Sequence, residues 1–406
     1  MMPRLALVLT AAVCTTVTLA HTQAQQVSSS AKAEAIANTP VAYVYFSEYV
    51  PGYDSLTQGK ARTQIEGYSV AADGSLTAIP GSPFAKNDFP TQLCANGKYL
   101  FASTHIEIGS GKYPSKVMSY WIGKNGALAL SHVLGNANLI NITLDHSGEV
   151  LYGDKASTDP DDLLSYRVRW SDGGLEYLGQ VTAPDLGYGG PWLDLPVTFS
   201  SDNRFAYETT DYAYQRTDQY HNLTRESAGN SSPASLMVTA DPNMNLAGIL
   251  EQEDPDGEFL DYSLAAFKIA SNGVVTQTIP TDEATPIDMR DINALAMSPS
   301  GKFLAVSGPN TVKIFKWSGT EPAALFATLP IDETDTNANA NVMRWDNANH
   351  LFAYVGGANG GNLYVWTVTD GGATDAPGSP HAFDGSISPV IQGPGLTVRS
   401  LTTQAQ

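Results

Sequence analysis

Apolar and polar positions alternate along this chain in short runs, each bounded by clusters of Gly, Asn, Asp and Ser. A period of two marks half-buried β-strands. One unit recurs, a tight turn followed by an aromatic or β-branched strand: NGKYLFAS, SGEVLYGD, DNRFAYET, NMNLAGIL, SGKFLAVS and ANHLFAYV. A seventh copy, VAYVYFS at 41–47, has the strand without the turn. The copies align Tyr43 with Tyr99, Val150, Phe205, Leu246, Phe303 and Leu351. Their spacing of about fifty residues fits propeller blades and not helical solenoids.

Each turn follows another apolar strand, TQLCA, LINITL, PVTFS, SLMVTA, INALAMS or NVMRW, so the unit opens with a hairpin of two buried strands. The first unit lacks this partner, and LTVRSL at 396–401 supplies it. The sequence therefore predicts an all-β, seven-bladed β-propeller, closed by pairing of the C-terminal strand with the N-terminal strand. Closure removes the two exposed edges of an open array. Outer hairpins such as YSVAADGSLTAI and SYWIGKNGALAL turn on Asp-Gly or Asn-Gly, which supply positive φ. Trp121, Trp170, Trp317 and Trp366 recur in or beside outer strands and are expected to pack between blades. The fourth unit departs from the pattern: 211–235 is polar throughout, and an irregular or partly disordered outer edge is expected there. EQEDPDGEFLD at 251–261 lengthens the fifth.

The first residues, MMPRLALVLTAAVCTTVTLA, read as a secretory leader, with Arg4 as the charge and a cut expected near Ala20 or Ala24. A lipid anchor at Cys14 is the competing reading, disfavoured by Val13 before it. The expected organisation is leader 1–24, flexible polar tether 25–40, propeller 41–401 and a disordered tail 402–406. Cys94 would be the one cysteine left after cleavage, so stability has to come from packing and not from a disulfide. A net charge of −19 argues against nucleic acid or an anionic membrane surface as partner.

Propellers bind ligands at the mouth of the central channel, on the face of the loops that enter each innermost strand or leave the second. Those loops are 48–63, 104–116, 154–162, 183–195, 281–291 and 330–341. Asp288, Arg290 and Asp291 stand at the entrance to blade six, Trp192 and Asp194 at the entrance to blade four. With His105 and Glu107 they form a candidate acid, base and cation set around a small polar ligand, against the plainer reading that charged loop residues cap and solvate strand ends. Arg344 lies inside the innermost strand of blade seven, where a charge must face the channel or find a buried partner. His146 and His350, in the short turns of the opposite face, are expected in solvent. Acidic runs near Asp254 and Asp332 place oxygens at alternate positions, as calcium loops do, without the full spacing. No phosphate cradle, haem-attachment motif or HExxH is present, and no metal or cofactor is expected.

Four phrases, IEGYSVAADGSLTAIPGSPFA, FSSDNRFAYE, SPSGKFLAVSG and PGSPHAF, resemble the lactonase-type seven-bladed propellers with YVTN-type repeats, which include 6-phosphogluconolactonases of that fold and carboxymuconate cyclases. The likeness runs from Val41 to Leu401. It implies an Arg-His pair before the inner strand of blade four, a His opening blade three, an acid after the second strand of blade four and an Arg in the inner strand of blade six. Here the pair falls on Leu195 and Pro196, the histidine region reads NANLINI, and the arginine falls on Ala296. Asp211, or Glu208 nearby, keeps a carboxylate, and Arg344 occupies the arginine's place one blade later.

Two functions stay open. The first is an exported, secreted or periplasmic, binding protein for a small molecule, glycan or protein partner, monomeric and free of the membrane once the leader is cut. The alternative is a lactonase or lactone-forming enzyme, with Asp211, Glu208 or His105 activating water and Arg290 or Arg344 stabilising the oxyanion.

Overall fold

The computed structural model describes residues 39–50, 62–86, 90–104, 116–137, 139–155, 162–182, 197–207, 212–216, 223–227, 235–253, 260–289, 291–331, 339–357, 360–383 and 395–401. Residues 1–38, where the leader and most of the tether are expected, lie outside them. Among these residues the chain is an all-β propeller, its strands gathered in antiparallel sheets, with one short 3-10 turn at Thr281–Glu283. No helix is long and apolar enough to cross a membrane.

In chain order the sheets begin at Ala42, Pro90, Leu139, Thr198, Ser235, Ala294 and Asn339, and are called first to seventh below. In the second to seventh, the innermost strand is the first in sequence. In the first sheet the order outward is Leu396–Ser400, Ala42–Val50, Arg62–Val70 and Leu76–Ala78. Phe46 stands opposite Leu396 and Ala42 opposite Ser400, and Leu401 N donates to Val41 O at 2.7 Å.

The core lies between sheets, because each strand sends alternate side chains to its two neighbours. Tyr43 and Tyr45 face Leu93, Leu100 and Met118 of the second sheet. Ala42, Val44 and Phe46, from the other side of the same strand, face Phe352, Leu363 and Val365 of the seventh. Similar clusters join second to third, third to fourth, fourth to fifth, fifth to sixth and sixth to seventh.

Tight turns after the innermost strands share one device. A short polar side chain at the turn's start accepts hydrogen bonds from backbone N–H groups further on, as an Asx or Ser turn does. Asn96 Oδ1 accepts from Lys98 N and Tyr99 N at 2.9 and 2.7 Å, and Asp241 Oδ1 from Asn243 N and Asn245 N at 2.7 and 2.9 Å. Asp346 Oδ1 accepts from Ala348 N and His350 N at 2.9 and 2.8 Å. Ser200 and Ser298 cap Phe205 N and Phe303 N in the same way.

Outer turns nest on the preceding sheet. Gly173, at φ +71°, lies so close over Tyr99 that a Cβ would come within 2.8 Å of the ring. Gly74, at φ +84°, does the same over the seventh sheet, where a Cβ would meet Ala376 at 2.8 Å and His350 at 3.2 Å. That contact buries His350 completely, contrary to its expected place in solvent. Its Nδ1 pairs with Asp346 Oδ2 at 2.7 Å, and its Nε2 has no partner among the described residues. A turn residue judged alone looks solvated; the neighbouring turn covers this one.

Three sheets split their fourth strand. In the first, Leu76–Ala78 pairs with the lower part of Arg62–Val70, and Phe84 bridges back to Ile65. In the seventh, Gly372–Asp375 and His381–Phe383 flank one long strand, Gly360–Thr369. The fifth does likewise with Val275–Gln277 and Thr285–Pro286. The PGSP phrases make two of these breaks: Ser82 Oγ accepts from Gly67 N at 3.0 Å and Ser379 Oγ from Val365 N at 2.9 Å, serving the N–H that the break would strand.

Two local expectations change. Tyr212–Arg216 and Leu223–Ser227 form a regular ladder in the fourth sheet; alternation in YAYQR suffices for a strand without a dipeptide turn. The loop expected from Glu48 to Thr63 begins and ends within strands, since Glu48 pairs with Gln64 and Val50 with Arg62.

Candidate functional site at the axis

Innermost strands are short and flanked on both sides, so a charged side chain on one of them has few places to go. Arg344 is the sixth of seven residues in Asn339–Trp345. Met343 and Trp345 on either side of it are buried against the sixth sheet, while Arg344 itself is exposed. Its Nη1 donates to Met343 O at 2.9 Å. The protein mass crowding the axis lowers its pKa from the ordinary arginine value, with the Cys94 thiol opposing that shift. Cys94 stands on the innermost strand of the second sheet, and burial pushes its thiol well up, so it remains protonated and is no nucleophile.

Between them runs Leu396–Ser400, which touches the innermost strands of both the seventh and second sheets. It carries a second guanidinium, Arg399, 6.0 Å from the centroid of Tyr43. No ion pair joins Arg344 or Arg399 to a carboxylate among the described residues. Arg399 was missed in the sequence although its signal is plain: an arginine inside LTVRSL, the strand assigned to the ring's interior.

The acidic candidates at the entrance to the sixth sheet point elsewhere. Asp288, at φ +48°, has a side chain 98% exposed. Lys313 Nζ donates to Ile287 O and Asp288 O, both at 2.7 Å, and stands 3.6 Å from Asp288 Oδ2. Asp291, at φ +50°, is also exposed. Both belong to the loop that enters an innermost strand. Arg344 lies near the opposite end of one, roughly 16 Å further down at ~3.3 Å per residue. The structure thus does not bring Arg344 together with Asp288 or Asp291. His105, Glu107, Trp192, Asp194, Glu208, Asp211 and Arg290 lie outside the described residues, as do the calcium-like acidic runs apart from their flanks. Among the described residues no three His, Cys, Asp or Glu side chains converge as a metal set.

A second polar group sits between the first and seventh sheets. Gln64 Nε2 donates to Glu48 Oε2 at 2.7 Å and to Glu66 Oε1 at 3.2 Å, and Ser82 Oγ donates to Glu66 Oε2 at 2.8 Å. Burial, reinforced by the Glu48 charge, raises the pKa of Glu66 against the opposing Ser82 hydrogen bond. Tyr68 beside them is pushed up to about 12 by burial and by the two glutamates. Glu48 is almost fully buried, and this group braces a junction; it does not open on the axis.

No protein-family model matches the chain, and no curated protein matches it by sequence. Solved structures do share the fold. A candidate 6-phosphogluconolactonase from Bacteroides uniformis superposes with a TM-score of 0.56 at 15% identity, covering 88% of this chain and 100% of its own. The periplasmic gluconolactonase PpgL of Pseudomonas aeruginosa gives 0.54 at 18% identity, with 88% and 100% covered. A protein from Lactobacillus plantarum gives 0.54 at 15% identity, with 89% and 99% covered. At these identities the likeness is one of fold: this chain is built like the lactonase-type propellers.

Proposed function

We propose that the chain is an exported seven-bladed propeller that binds a small anion on its axis, Arg344 supplying the charge, and that it acts as a binding protein without lactonase chemistry. One observation carries this: a solvent-reached guanidinium on an innermost strand, without a carboxylate partner among the described residues, in a chain of net charge −19. Partial desolvation without a counter-ion costs free energy, and an incoming anion offsets it.

The blade count and the closure by the last strand belong to the same reading. Support for them comes from the apolar clusters between successive sheets, including one that joins first to seventh, and from the register of Leu396–Ser400 on Ala42–Phe46. Export rests on the leader pattern of residues 1–24, and a periplasmic setting on that pattern and on the name of one fold neighbour.

Gluconolactonase neighbours make gluconate and gluconolactone the first probes. Isothermal titration of the full chain with gluconate or glucuronate should give saturable binding, weakened at least tenfold in Arg344→Gln and largely kept in Arg344→Lys. Failure of both acids to bind would overturn the proposal. So would turnover of gluconolactone well above background that is lost in Arg344→Gln, which would favour the lactonase instead.

A further inference from the structure

Large apolar side chains are exposed unevenly. Among the described residues seven stand out, and five of them, Trp121, Leu130, Val133, Trp170 and Tyr177, belong to the second and third sheets. Strand register divides the five. Leu130 pairs with Tyr120 and Val133 with Met118, so both lie on the side facing the first sheet. Trp121 pairs with Tyr99, and Tyr177 with Tyr166, both of which belong to the cluster between the second and third sheets. Trp170 sits in the turn that nests on Tyr99, whose hydroxyl donates to Trp170 O at 3.2 Å. Three aromatic rings thus border one margin, exposed by 56% for Trp121, 56% for Tyr177 and 42% for Trp170, where packing between blades was expected for the tryptophans.

The margin carries a fixed cation. Lys98 Nζ donates to Trp170 O and stands 5.2 Å from the Tyr99 centroid and 6.0 Å from that of Trp121. The indole N–H groups of Trp121 and Trp170 have no recorded acceptor among the described residues, whereas Trp317 and Trp345 donate theirs to Asp241 Oδ2 and Ala296 O. On the third-sheet side of the margin the arginines are paired, Arg169 with Asp172 at 2.9 Å and Arg167 with Glu176 at 4.0 Å, whereas Lys98 has no carboxylate partner among the described residues.

We propose that this margin binds an anionic oligosaccharide. Flat ring faces accept the C–H face of a pyranose, the free indole N–H groups serve its hydroxyls, and Lys98 attracts a uronate carboxylate. Protein hot spots also use Trp and Tyr, but in central pockets ringed by further contacts; here the other exposed apolar residues of the second sheet, Leu130 and Val133, lie on its opposite side and leave the rings without such a surround. The site stands apart from the axis and does not rest on the reading of Arg344.

The probe is a uronic-acid oligosaccharide series of defined length, titrated into the full chain, with a neutral oligosaccharide of equal length alongside. Binding of the acidic series should weaken as salt is raised. It should fall at least tenfold in Trp121→Ala and Trp170→Ala, partly return in Trp121→Phe, and weaken in Lys98→Gln. Leu325→Ala, at an exposed apolar site on the sixth sheet, should bind as the parent does, and circular dichroism would confirm that each variant is folded. Equal affinity for acidic and neutral sugars, indifference of a folded Trp121→Ala, Trp170→Ala double variant, or capture of acidic peptides but no sugar would each overturn the proposal.

Discussion

The junction between the seventh and first sheets and the junction between the second and third use the same parts and finish differently at their outer margins. Each has a glycine turn nested on the preceding sheet, Gly74 over His350 and Gly173 over Tyr99. At the first of these the split fourth strand of the seventh sheet returns as His381–Phe383 and lays Phe383 against Phe46 and Tyr354, with ring centroids 4.7 and 5.4 Å apart. The second sheet has an unbroken outer strand, Leu128–Gly135, and Trp121, near the turn end of Lys116–Ile122, stays in solvent.

The largest way to break this contrast is to delete 396–406. That removes the innermost strand of the first sheet together with Leu396 of the sealed junction. If the ring closes as proposed, the truncated chain should show no cooperative thermal transition by circular dichroism. A single sharp transition near that of the full chain would refute closure. Next in size, Phe46→Ala should cost roughly 3–5 kcal/mol, while Trp121→Ala should stay within about 0.5 kcal/mol, measured by denaturant unfolding. Similar losses for the two would erase the distinction between margins.

The smallest effect concerns pH. Folded Glu66 keeps its proton to higher pH than an ordinary glutamate at 4.5. Its stabilisation is complete below that value and is lost as pH rises through the raised one. Stability of the parent relative to Glu66→Gln should therefore decline with pH above about 4.5. A constant difference between the two from pH 4 to pH 8 would show that folded Glu66 does not hold its proton above the ordinary glutamate range.

Much of the fold was legible because its devices are local. Asn96, Asp241 and Asp346 announce their turns in the residues beside them, and the apolar strands need only their alternation. The misses are contacts made by chain far away. His350 is buried by Gly74, almost three hundred residues distant in sequence, and its own turn gives no sign of it. Register alone tells which sheet Trp121 faces, yet not how far that sheet extends. Glu48 and Glu66 converge because Glu48 pairs with Gln64 and Phe46 with Glu66, a register hidden while 48–63 read as a loop. At the candidate site, Arg344 was visible as a charge within an innermost strand. Its separation from Asp288 and Asp291 depends on which end of the strand each occupies.

Leu396–Ser400 and Ala42–Phe46 run antiparallel, and at the corner where the first ends and the other begins, Val41 and Leu401 are joined by one hydrogen bond. A load pulling those two ends apart acts on one rung at a time, as in unzipping, and never on the whole ladder in shear. If the ring closes as proposed, a load on the two chain ends opens it first at that seam.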